Sequence, residues 1–116
     1  QLWAHVRISG IVAGHGIRPM VRWTAPEIFY TNKKGEKTLL FSNTEWTGKK
    51  ELGDSNAKNP VCRCTDTGEK GCARTRSYRT LLTQAAGKTV KAVGIWKAEV
   101  LVNGVVIGEG AFEVLK

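Results

Sequence analysis

Three cysteines, Cys62, Cys64 and Cys72, fall within eleven residues in the pattern C-x-C-x7-C, and no other side chains are as suited to covalent chemistry. A disulfide from Cys72 to Cys62 or Cys64 spans the turn Asp66-Thr67-Gly68-Glu69 and closes a short ring, which confers modest stability. The leftover thiol, with Arg63 close by, sits where a cation lowers a thiol pKa. A small thiol-dependent redox protein or enzyme centred on Cys62, Cys64 and Cys72 is therefore the alternative to a purely structural staple. Zinc needs a fourth ligand, and the only histidines, His5 and His15, are remote in sequence. Three reduced thiols in a cytosolic protein are a further arrangement. The disulfide reading places the chain in an oxidising compartment, secreted or periplasmic.

The second group of reactive surfaces is aromatic and cationic. Four tryptophans are many for 116 residues. Trp23 and Trp96 fit core positions, whereas Trp3 and Trp46 are less obviously buried. Trp46, next to Lys49 and Lys50, is the kind of ring that stacks on a sugar or anchors a protein interface. The net charge is +8, and between Lys58 and Lys91 eight basic residues face only two acidic ones. Such a field concentrates anionic partners. Arg63, Arg74, Arg76 and Arg79, together with Trp46, Lys49 and Lys50, form the candidate contact set for a protein or anionic glycan partner. Nucleic acid fits less well, because single-strand binding interleaves several aromatics with the basic residues and this segment holds only Tyr78.

Catalysis finds no motif. The ten carboxylates are scattered, and G-x-S-x-G, H-E-x-x-H and a phosphate-cradling loop are all missing. No catalytic residue, metal site or cofactor is assigned. No run reaches the roughly 18 apolar residues of a membrane span, and the first residues lack a secretory leader pattern.

The elements that must position these residues are strands. Apolar residues recur with period two, and no long stretch has a helical period. Residues 4 to 12 form a first strand around Val6 and Ile8. Val21 and Trp23 alternate in a second, which Pro26 interrupts before Ile28 and Tyr30. Asn32-Lys33-Lys34-Gly35-Glu36 turns a hairpin between Ile28-Phe29-Tyr30 and Leu39-Leu40-Phe41. The stretch from Thr47 to Arg76 is expected to be irregular, and with its flank to Arg79 it forms one long, basic loop, 47–79. Residues 77–86 suit either a strand or a short helix.

The last hairpin is the best defined. Trp96, Ala98 and Val100 alternate, Asn103-Gly104 turns the chain, and Val106, Phe112 and Val114 follow. A plain two-residue turn would put Phe112 opposite Ile95, on the wrong face. A three-residue loop, Val102-Asn103-Gly104, is therefore expected, with Trp96, Ala98, Val100, Val106, Phe112 and Val114 on one buried face. Gly94-Ile95-Trp96, Asn103-Gly104 and Phe112-Glu113-Val114 resemble the closing hairpin of bacterial immunoglobulin-like β-sandwich modules, over residues 94–116. The resemblance implies two packed antiparallel sheets and a binding or structural role. The expectation is thus an all-β, single-domain, immunoglobulin-like antiparallel sandwich with one long disulfide-stapled loop, serving as a binding module.

Overall fold

In a computed structural model of the chain, residues 1–12, 14–48, 51–53, 68 and 70–116 are described. They form ten strands and no helix, so no helix is long and apolar enough to cross a membrane. The all-β expectation holds. A four-stranded antiparallel sheet has the order β10-β9-β2-β5, made by Val105–Val114, Gly94–Val102, Pro19–Thr24 and Thr44–Thr47. A two-stranded ribbon pairs β1 (Leu2–Ile8) with β6 (Ala73–Arg79). Two small hairpins join β3 (Phe29–Thr31) to β4 (Lys37–Leu39) and β7 (Leu82–Ala85) to β8 (Lys88–Lys91).

The core forms where the ribbon meets the sheet, because period-two alternation gives each an apolar side. Val100 pairs with Val21 and Ala98 with Trp23, while Val21 pairs with Trp46. These residues share one face of the sheet. Ala4, Val6, Ile8 and Ala73 of the ribbon join Val21, Trp23, Trp96 and Ala98 in a single buried cluster. Trp23 Nε1 donates to Ser77 Oγ of β6 at 3.0 Å, so the one polar atom of that buried indole is satisfied across the two layers. Trp96 Nε1 donates likewise to the Ala92 carbonyl at 3.1 Å.

The closing hairpin corrects the expected loop. Asn103 (φ 52°) and Gly104 (φ 78°) make a two-residue turn in which both residues are left-handed, and Val102 pairs with Val105. The face problem is solved downstream by a bulge between Val106 and Gly108, where Ile107 is the extra residue. Beyond it the register moves by one, and Phe112 pairs with Trp96 rather than Gly94. Val106 lies before the bulge, opposite Leu101, and so belongs to the other face of the sheet. Gly104 is free to be left-handed where a β-branched residue is not. Gly104→Val should therefore cost about 1 to 2 kcal/mol more than Asn103→Asp in denaturant titration.

Two other expectations change. Residues 77–86 contain no helix: they hold the end of β6, the whole of β7 and Ala86 of a left-handed Ala86-Gly87 turn. The basic loop is shorter than expected, because residues 73–79 are strand β6, paired along its whole length with β1. The hairpin after Ile28 stands as read. Its turn is held by the Asn32 side chain, whose Oδ1 accepts from the backbone N–H of Lys34 and of Glu36, both at 2.9 Å. Lys49, Lys50, Cys62, Arg63 and Cys64 lie outside the described residues.

The outer face of the large sheet carries a row of charges. Arg22 Nε lies 3.2 Å from Glu99 Oε1 on the neighbouring strand, and Lys97 Nζ lies 3.3 Å from Glu109 Oε2 and 3.9 Å from Glu99 Oε2. Glu99 and Glu109 face each other across β9 and β10, so Lys97 offsets the repulsion between them. The Arg22 hydrogen bond holds the Glu99 carboxyl below its ordinary pKa. A carboxyl depressed in the folded state stabilises the fold above its unfolded pKa, and that contribution is lost as pH falls through the folded value. Glu99→Gln should accordingly flatten the acid limb of the stability-against-pH curve, measured by urea titration between about pH 2 and 6.

Candidate binding site

The register of the ribbon sorts its side chains. Ala4, Val6 and Ile8 turn inward with their partners Ser77, Thr75 and Ala73, while the alternate pairs Trp3 with Tyr78, His5 with Arg76 and Arg7 with Arg74 turn outward. One exposed face thus carries aromatic and basic side chains in register. Trp3 and Tyr78 rings lie 4.8 Å apart between centroids. The Arg76 guanidinium lies 5.2 Å from the centroid of the Trp3 ring, and His5 stacks on the same indole at 6.2 Å. Such contacts pre-order the cation and the rings before any partner arrives. Arg7 and Arg74 are themselves engaged, and with His5, Val6 and Thr75 they line a shallow depression of about 270 Å³.

A groove of about 290 Å³ opens between β6 and β5. Trp3, Tyr78 and Arg76 form the ribbon side, Trp46 and Thr44 form the sheet side, and Trp23 lies beneath. Trp46 is half-buried, opposite Val21 and packed against the core, so it is held rigidly by the sheet. Rigid ring faces beside an arginine suit a ligand with flat, weakly polar faces and anionic groups. No protein-family model, curated protein or solved structure matches this chain.

Of the residues singled out in the sequence, Trp46 and Arg76 meet in this groove, although they stand on different strands of different sheets. Arg74 is two residues along the same ribbon face. Arg79 is elsewhere: its guanidinium covers the Trp96 ring at 5.4 Å, and Nη1 donates to the Ser42 carbonyl at 3.0 Å and to Thr44 Oγ1 at 2.6 Å. Burial lowers its pKa from the ordinary arginine value. These contacts give it a structural role. Sequence reasoning missed His5, Arg7 and Tyr78 as partners of the site. The first two lie within the first strand read from the sequence, and their alternation with Val6 and Ile8 is the signal that marks them as outward-facing.

Proposed function

We propose that this chain is a secreted or periplasmic binding module, and that the groove of Trp3, Trp46, Tyr78 and Arg76 holds an anionic partner, a glycan in preference to a protein. The observation carrying this reading is the convergence of three aromatic rings and one guanidinium around a single opening. Ring faces stack on the C–H faces of sugars, and arginine recognises sulfate or carboxylate with a two-pronged hydrogen-bond geometry. The +8 net charge adds long-range attraction. An immunoglobulin-like sandwich is the finer fold reading, supported by the layered arrangement and the closing hairpin. Cys72 is fully buried and engaged, which suits a disulfide to Cys62 or Cys64 better than a reactive thiol needing access. Thiol labelling should then find one free cysteine before reduction and three after it.

A heparin-derived oligosaccharide is a suitable probe. Its affinity should fall steeply with salt. Arg76→Glu and Tyr78→Ala, both at exposed side chains, should each weaken binding about tenfold or more, the first with little change in melting temperature and the second with the modest drop that losing its contact with Trp3 brings. Wild-type affinity in both variants would overturn this assignment.

A further inference from the structure

We propose that the cleft between β1 and β10 accepts an extended acidic segment of another protein, added as a strand. This inference does not rest on the glycan groove between β5 and β6, although Trp3 lines both openings.

Both walls of the cleft are strand edges. Among the described residues β1 is paired only with β6, and β10 only with β9. Among the described residues no strand covers the far edge of either, where backbone N–H and C=O groups could pair with a further strand. The lining says the same in another way. A strand seen face-on shows every second residue, whereas the cleft, about 400 Å³, is lined by five successive residues of β1, Trp3 to Arg7, and by Gly108, Glu109 and Gly110 in succession on β10. Successive residues line an opening when the strand presents its edge.

The floor fits the side chains such a strand would bring. It is made by Ala98 and Val100, and Gly110 and Gly108 lie level with them on the same face. Ala98, Gly108 and Gly110 are small where a sheet interior normally carries large residues, and a Cβ built on Gly108 would meet nothing within 4 Å. The inner layer is underfilled here, and Phe112, beside it, is left 37% exposed. Apolar side chains on one face of an added strand would fill that space. Those on its other face would stand level with Trp3, His5 and Arg7, with Arg76 one strand beyond. Arg7 already has a partner and Glu109 on the opposite wall is held by Lys97, so acidic residues there would meet His5 and Arg76. A second copy of this chain would bring its own +8 charge to the contact, and a glycan has neither the amide repeat for the two edges nor apolar groups for the floor. The occupant is therefore a peptide alternating apolar and acidic residues.

A synthetic heptapeptide alternating valine and glutamate tests this directly. On binding, amide hydrogen exchange should slow at residues 3–6 and 108–112. The same peptide N-methylated at alternate residues keeps its charge but loses its edge, and should bind about tenfold or more weakly. Gly108→Leu has an ordinary backbone angle and open space to occupy; it should block the peptide to a similar degree while leaving the heparin oligosaccharide at wild-type affinity. Three results would each overturn the proposal: equal binding of the N-methylated peptide, equal binding by the Gly108→Leu protein, or protection confined to β5 and β6. Failure of the heparin oligosaccharide to bind at all would bear only on the groove.

Discussion

Trp96→Ala is expected to cost about 3 to 5 kcal/mol in equilibrium denaturation, the largest effect of any single substitution considered for this fold. Trp96 has no exposed surface. It makes edge-to-face contacts with Trp23, at 6.4 Å between centroids, and with Phe41, at 5.8 Å. Truncation removes the burial of a large ring, leaves a cavity between the layers, and strands two aromatic partners. The Ala92 carbonyl loses its indole donor as well. Trp96→Phe keeps most of the volume and should recover more than half of the loss. A cost below about 1 kcal/mol for the alanine variant would show that the layers can close over the gap, and that Trp96 does not organise the core.

Trp96 was also the residue most easily read from sequence, and the reason is instructive. Strands that pack one face on a core and turn the other to solvent write period two into the chain. Residues 94–102 and 21–24 do so plainly. The bulge at Ile107 leaves no such trace, since Val105-Val106-Ile107 is apolar at every position and the same residues would suit several registers. Asn103-Gly104 marks the turn, but nothing in the sequence says whether the extra residue sits in the turn or in the strand after it, where the structure has it. Strand β6 was hidden for a different reason. Its inward positions are Ala73, Thr75 and Ser77, small or polar because the ribbon passes over Trp23 and offers it a hydroxyl. No apolar alternation remains to announce it. The groove was half legible: Trp46 and Arg76 were recognisable by type, but only the pairing of β5 with β2 and of β6 with β1 brings them together.

That hidden strand leads to the second large effect, a contrast between two arginines three residues apart. Alternation along β6 turns Arg74 and Arg76 outward, whereas Arg79 faces the interior side with Thr75 and Ser77. Arg79→Ala should cost about 2 to 3 kcal/mol, since it removes two hydrogen bonds from a charged donor and the cation over Trp96. Arg79→Glu should cost more, because a carboxylate there cannot donate to the Ser42 carbonyl and faces the ring with the wrong sign. Arg76→Glu should change stability by no more than about 0.5 kcal/mol, as exposed charges contribute little. The binding data should invert this ranking. Arg76→Glu weakens the heparin oligosaccharide, whereas Arg79→Lys, which keeps a cation over the ring, binds it as the wild type does. Denaturant titration beside direct binding separates the two roles. Equal stability losses at positions 76 and 79 would mean that the parity of β6, and with it the composition of the groove, is wrong.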